Sequence, residues 1–229
     1  MNVQGYQKLT LLDYPGRVAC TVFTGGCNLR CPFCHNAGLV QTPMAYGSAE
    51  REVLDYLSKR KGILDGVCVT GGEPLLQPDL AAFVGRVKEM GFLVKLDTNG
   101  SMPGRLRELL STGLIDYVAM DVKSSPEGYA RAVGAEVDVR LFEESMREIQ
   151  NSGIAHEFRT TAVKGIHTAE DFAAIGRWIG RDDPYFIQGF VASDHILGNG
   201  CAAFDANGMQ MLLEAVRPYL PRAQLRGQA

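Results

Sequence analysis

Val18-Ala19-Cys20-Thr21-Val22-Phe23-Thr24-Gly25-Gly26-Cys27-Asn28-Leu29-Arg30-Cys31-Pro32-Phe33-Cys34-His35-Asn36 runs from a short apolar segment through two glycines into three closely spaced cysteines. The apolar part has the β-branched content and the length of a buried strand, and the glycine pair ends it. Beyond the glycines lies a Cys-x-x-x-Cys-x-x-Cys loop with an aromatic just before its last cysteine. Thiolates select iron-sulfur clusters, zinc or copper(I). Three of them are one short of a closed site. A cubane cluster held by four cysteines is coordinatively complete, whereas three leave one iron open to another ligand.

The strand-then-polar-loop pattern recurs downstream. Apolar runs at 66–70, 92–97, 115–121, 156–163 and 185–190 join the run at 18–24, and segments of helical period separate them. That alternation is the signature of parallel strands joined by helical crossovers. Ser48 offers an N-cap, with Glu50 in the first turn, for a helix to about residue 61, and Asp79 begins another to residue 90 that Gly91 stops. Further helices are expected at 103–111, at 139–152 before Gly153, and from Thr168, with Asp171 three residues on, to 179; a last one follows Asp205. Most of the strands show little alternation, as strands covered on both faces should. Six units fall short of the eight that close a typical barrel. The expected fold is therefore α/β, an open partial (β/α)6 barrel with helices outside. Its open side can admit a large substrate.

A chain of 229 residues with 46% hydrophobic and 21% charged residues and no linker reads as one domain, 1–229. The net charge of -3 gives no basic field, and Lys and Arg are scattered, which argues against nucleic acid and lipid surfaces as partners. No stretch reaches membrane-spanning length and no export signal opens the chain, so a cytoplasmic location is expected. In that setting the cysteine triplet points to metal rather than to disulfides. Cys20 and Cys68 read as small core residues inside apolar strands, and Cys201 sits in a Gly-rich loop between 191 and 207.

Polar signatures fall at the C-terminal end of every predicted strand. The first strand carries the cysteine loop, the second runs into Gly71-Gly72-Glu73-Pro74, and the third ends in Asp97-Thr98-Asn99-Gly100. The fourth ends in Asp121-Val122-Lys123, the fifth holds Arg159-Thr160-Thr161, and the sixth holds Gln188. In parallel barrels this rim is where active sites are built.

Through its Cys-x-x-x-Cys-x-aromatic-Cys loop and its Gly-Gly-Glu-Pro, the chain resembles the radical S-adenosylmethionine (SAM) superfamily over nearly its whole length. Asp13-Tyr14-Pro15-Gly16, Cys34-His35-Asn36, Asp97-Thr98-Asn99-Gly100 and Met120-Asp121-Val122-Lys123 resemble the activases of glycyl-radical enzymes. Glu157-Phe158-Arg159-Thr160-Thr161 resembles the subfamily called anaerobic ribonucleoside-triphosphate reductase activating protein. The resemblance implies a [4Fe-4S] cluster on Cys27, Cys31 and Cys34, with SAM completing the fourth iron. One electron entering the sulfonium then gives methionine and a 5'-deoxyadenosyl radical, which takes hydrogen from a glycine of a partner enzyme. It implies an anaerobic ribonucleotide reductase as that partner and a flavodoxin or ferredoxin as electron donor.

The implied SAM contacts are Asn36 and Thr161 on the nucleoside side, the backbone of Gly71 and Gly72, and Glu73 as acceptor for the methionine ammonium. Asp97 is implied to bind ribose hydroxyls or, with Thr98 and Asp121, a small monovalent cation near the methionine carboxylate. Lys123 offers that carboxylate a point charge, and Arg159 and Gln188 are further candidates. Asp13, Pro15 and Gly16 correspond to a motif near the incoming glycyl loop, and they also read as a capped turn. His35 reads as a tuning neighbour of the cluster, and His156, His167 and His195 as structural or surface groups.

Other classes compete. Cys31-Pro32-Phe33-Cys34-His35 matches the c-type haem attachment motif of an electron-transfer module, but that leaves Cys27 and Gly-Gly-Glu-Pro without a role. A structural zinc site on Cys27, Cys31, Cys34 and His35 would require adjacent Cys34 and His35 to share one tetrahedron. A thioredoxin-like pair has no use for the third cysteine. Within the radical enzymes the alternatives are a small-molecule enzyme such as 7-carboxy-7-deazaguanine synthase and an activase of the pyruvate formate-lyase type.

Overall fold

The computed structural model describes residues 1–41, 49–180, 182–192 and 196–227. Each predicted strand forms, because each short apolar run finds a neighbour on either side, parallel on both sides for all but the first. The strands are β2 (Ala19–Thr24), β3 (Gly66–Gly71), β4 (Leu93–Thr98), β5 (Tyr117–Asp121), β6 (Ala155–Ala162) and β7 (Tyr185–Gly189). They pair in parallel in chain order. Two edge strands extend the expected set. β1 (Val3–Thr10) pairs antiparallel with β2, and the three-residue β8 (Gln224–Arg226) pairs parallel with β7. The described strands form one sheet in the order β1 to β8 whose ends do not pair with each other, so the barrel stays open.

The helices are α1 (Ala37–Gln41), α2 (Ala49–Ser58), α3 (Leu80–Glu89), α4 (Pro103–Ser111), α5 (Tyr129–Val133), α6 (Val139–Asn151), α7 (Ala169–Ile179) and α8 (Ala206–Val216). The signal at Thr168 holds in full. Its hydroxyl accepts from the Asp171 amide while the Asp171 carboxylate accepts from the Thr168 amide, a reciprocal cap on α7. Asp138 and Asp205 cap α6 and α8 through side-chain acceptance. Asp79 stands before α3 without capping it, because its carboxylate takes the Met1 ammonium instead. α2 stops at Ser58, three residues short of expectation, and its proposed N-cap Ser48 lies outside the described residues, as does His195. No helix among the described residues is long and apolar enough to cross a membrane.

The strands do alternate, contrary to expectation. Val22, Val67, Val69, Val94, Leu96, Val118, Met120, Phe158 and Ile187 lie in the apolar core under the helices. The other parity carries Thr21, Cys68, Lys95, Asp97, Tyr117, Asp121, Glu157, Arg159 and Gln188 on the inner face. An open barrel explains this: its lumen is a lined cavity, not a packed interior, so inner positions need partners more than they need apolar volume. Glu157, buried on β6, shows how such partners are found. It receives both guanidinium nitrogens of Arg226 from β8 at 2.7 Å and the Tyr117 hydroxyl at 3.1 Å. Cys68 is buried as expected, yet its sulfur lies on this face 3.9 Å from Lys95 Nζ.

Candidate active site

The cysteine loop follows β2 at the C-terminal rim and has no regular structure of its own, so its shape depends on bonds to distant segments. Gly25 N donates to Asn2 O, Gly26 N to Leu39 O, Arg30 N to Val133 O, and Gly26 O accepts from Glu73 N at 2.8 Å. Gly198 N donates to Pro32 O at 2.8 Å, which brings part of the loop after β7 against the cysteines. The three sulfurs border one cavity of about 440 Å³, within the range of small-molecule sites.

Gly72 is indispensable here for a reason the sequence did not give. A Cβ at this position would stand 1.9 Å from Gly26 O, a backbone atom that cannot swing aside, and one at Gly71 would stand 2.4 Å from Thr24 N. The glycine pair therefore lets the exit of β3 pass against the cysteine loop, as well as lining the cavity. We expect Gly72→Ala to cost at least ~1–3 kcal/mol by overpacking and to lower iron incorporation more than it lowers helix content; urea denaturation and iron analysis check this.

Thirteen of the sixteen site residues predicted from sequence line that cavity: Asp13, Cys27, Cys31, Cys34, Asn36, Gly71, Gly72, Asp97, Thr98, Asp121, Lys123, Arg159 and Thr161. Gln188 and His35 join them. Glu73, Pro15 and Gly16 are not among the lining residues. Glu73 is fully buried behind the wall, and its oxygens accept from Leu75 N at 3.0 Å, Thr98 Oγ1 at 2.9 Å and Asn99 N at 2.7 Å. Burial pushes its carboxyl up to about 7 against the pull of those donors. The expected role as ammonium acceptor is therefore corrected: the carboxylate ties β3 to the exit of β4. Pro15 and the positive-φ Gly16 form the middle of a turn closed by Arg17 N on Tyr14 O, the type II signature. Only Asp13 of that motif reaches the cavity, where it accepts from Thr21 Oγ1.

A ladder of alternating charge crosses the floor. Lys95 Nζ meets Asp97, Arg159 Nη2 meets Asp97 Oδ2 at 3.0 Å, Arg159 Nε meets Asp121, and Lys123 Nζ meets Asp121 Oδ2 at 2.9 Å. Burial would raise both carboxyls, but Arg159 first, then Lys95 at Asp97 and Lys123 at Asp121, hold them below the ordinary carboxylate range. The Thr98 hydroxyl is engaged in both directions, donating to Glu73 and accepting from Gly100 N at 3.1 Å. The oxygens expected to hold a small cation are thus already bonded to protein donors, a set that does not suit a metal ion. Sequence reasoning missed Lys95. The signal was there, a lysine two residues before Asp97 and so on the same face of a strand.

Asn36 also does structural work, its amide donating to Gly71 O at 2.9 Å. His167 is a fixed neutral ring, with Nδ1 accepting from Val163 N at 3.0 Å and Nε2 donating to Lys123 O at 2.8 Å.

The donor set fits an iron-sulfur cluster. Burial raises the Cys27 thiol, and Cys31 to about 11, so thiolates here call for a metal to compensate their charge. Cys27 Sγ accepts from Leu29 N at 3.5 Å and from Asn99 Nδ2 at 3.8 Å, the kind of outer contact that orients a ligand. No three Cys, His, Asp or Glu side chains among the described residues converge on a point suited to one metal ion. A tetrahedral zinc with bonds of about 2.3 Å needs its sulfurs about 3.8 Å apart. Cubane thiolates bind different irons and stand farther apart.

The sequence model of the radical SAM superfamily matches residues 21–179, from inside β2 to the end of α7. The chain belongs to the radical SAM superfamily. Its cofactors as a member are a [4Fe-4S] cluster and SAM. A glycyl-radical enzyme activating enzyme by name, from Methanocaldococcus jannaschii, is 34% identical over 84% of this chain and 81% of its own length. The pyruvate formate-lyase-activating enzyme of Clostridium pasteurianum is 30% identical over 67% of this chain and 65% of its own. These relatives support the activase group. A 7-carboxy-7-deazaguanine synthase of Methanopyrus kandleri is 28% identical over 73% of each chain. Among solved structures, Streptococcus suis SuiB bound to the precursor peptide SuiA superposes with a TM-score of 0.72 at 14% identity, over 90% of this chain and 48% of that one. At that identity the likeness is one of fold.

Proposed function

We propose that this chain is a radical SAM activase that abstracts hydrogen from the α-carbon of a glycine in a partner glycyl-radical enzyme, with an anaerobic ribonucleotide reductase as that partner. The observation that carries the reading is the 34% identity to a relative named as a glycyl-radical enzyme activating enzyme, along more than four fifths of both chains. In this reading residues 1–229 work as one domain in the cytoplasm, and a flavodoxin or ferredoxin supplies the electron.

Cys27, Cys31 and Cys34 would hold the cluster, and the cavity beside them would hold SAM. Cluster and SAM, when bound, supply the chemistry: one-electron cleavage of the sulfonium to methionine and a 5'-deoxyadenosyl radical, which takes the glycine hydrogen. The protein's own contribution is position and exclusion. Lys123, at the cysteine end of the charge ladder, offers the methionine carboxylate an ammonium. Gly71 and Gly72 leave room for the ligand against their backbone, while Asn36 and Thr161 offer polar contacts to the nucleoside. Glu73 acts indirectly, holding Thr98 and Asn99 in place. Asp13 is assigned to the incoming glycyl loop, and the turn at Pro15 and Gly16 presents it.

The test is anaerobic mixing of the reconstituted protein with SAM, reductant and the ribonucleotide reductase, followed by electron paramagnetic resonance. A glycine-centred signal on the reductase with stoichiometric 5'-deoxyadenosine is expected. No signal with any coexpressed glycyl-radical enzyme, alongside turnover of a deazapurine precursor, would instead favour the small-molecule reading.

A further inference from the structure

Lys95 belongs to none of the motifs that mark the site, yet it begins the charge ladder. Its side chain is 1% exposed, and its ammonium bonds Asp97 on the same face of β4. From there the signs alternate through Asp97, Arg159 and Asp121 to Lys123, so three side-chain cations face two carboxylates. Each of the four carboxylate oxygens accepts from one cationic side chain. Of the other carboxylates near the cavity, Glu73 reaches the ladder through the Thr98 hydroxyl and is itself held by two backbone amides, and Asp13 accepts from Thr21 Oγ1.

A monovalent metal ion at Asp97, Thr98 and Asp121 would have to displace those donors, since all four carboxylate oxygens are taken; the cation left over is Lys123, whose ammonium is also drawn to Cys31 and Cys34. An anion, by contrast, is welcome at such a place. We propose that the Lys95 ammonium is the built-in cation of Asp97, so that SAM binds this chain without a monovalent metal ion and its carboxylate meets the ladder's surplus charge. The proposal rests on the cavity being the SAM site. Lys95 is a positioning residue in it, acting on SAM through Asp97 and Arg159.

The test is SAM affinity by anaerobic equilibrium dialysis of the cluster-loaded protein in choline, sodium and potassium chloride at one ionic strength, with thermal melting in the same salts. Wild-type affinity should agree within about twofold across the three, because no metal position is left to fill. Lys95→Met should bind SAM about tenfold or more weakly in choline, since Asp97 loses a buried partner. Sodium or potassium entering the vacated position should restore most of that loss and raise the variant's melting temperature. Lys95→Arg should need no added ion. A wild-type affinity that climbs tenfold with sodium or potassium overturns the proposal. So does a folded Lys95→Met that neither ion improves. If Lys95→Met does not fold, the wild-type comparison decides alone. Absence of SAM binding in every salt overturns the SAM reading itself, and is distinguishable because the proposal fails by salt dependence, not by loss of binding.

Discussion

Single replacement of Cys27, Cys31 or Cys34 by alanine is expected to abolish iron binding and 5'-deoxyadenosine release together, while the protein still folds. The three sulfurs lie in an irregular loop that is held by backbone bonds from other segments, and none of the three thiols takes part in those bonds. Losing only an outer partner of a metal ligand already costs about 10- to 100-fold, so losing a ligand should lower deoxyadenosine release by at least ~100-fold. Iron and sulfide analysis after anaerobic reconstitution, with product release measured on the same sample, checks this. Near-normal iron content in any one variant would remove that cysteine from the ligand set. Cys20, Cys68 and Cys201 serve as controls, since Cys20 and Cys68 are buried in strands and Cys201 does not border the cavity. Their replacement by serine or alanine should leave iron content unchanged.

Arg159→Met is expected to destabilise the protein more than any other single change on the cavity floor. Among the described residues Arg159 alone bonds both ladder carboxylates, so its loss leaves Asp97 and the partly buried Asp121 each with a single cationic partner. Breaking a buried pair in this way costs about 3–5 kcal/mol. At about 2–4 °C per kcal/mol for a chain of this size, melting should fall by roughly 6–20 °C. The sign of the pH dependence follows from the depressed carboxyls. Their stabilisation is complete above the unfolded carboxylate value of about 4 and is lost as pH falls through the lower folded values. The gap between wild type and variant should therefore be widest near neutral pH and narrow below about pH 4. Melting curves across that range check it, and a gap that is constant with pH would mean that packing, not charge, is what Arg159 supplies.

The parts of the fold set by local chemistry could be read from the residues. β2 to β7 come from short apolar runs, and α7 from a hydroxyl and a carboxylate three positions apart, each needing little from the rest of the chain. β1 could not be read in this way, because Gly5, Gln7 and Lys8 carry no strand pattern and are held by pairing with β2. β8 is three residues long and owes its place partly to Arg226 reaching Glu157 on β6. In the site, motifs picked out residues that line the cavity but did not show how each is bonded there. Glu73 points into the wall, and Gly72 makes room for Gly26, because both depend on which backbone lies opposite, which no spacing reveals. Lys95 was hidden by its neighbours. Between Val94 and Leu96 it reads as a stray charge in an apolar strand, until the inner parity of β4 is compared with that of β5 and β6.

That parity also bears on how such a chain can change over generations. A residue on the helix-facing row, such as Val94 or Val118, can be exchanged for another aliphatic of similar size in one step, with only a modest packing defect to carry. A residue of the ladder cannot, because each intermediate strands a buried charge. Positions 95, 97, 121, 123 and 159 should therefore be inherited as a block. A lineage that loses Lys95 is expected to alter its neighbours in the same step, or to begin depending on whatever ion its surroundings provide.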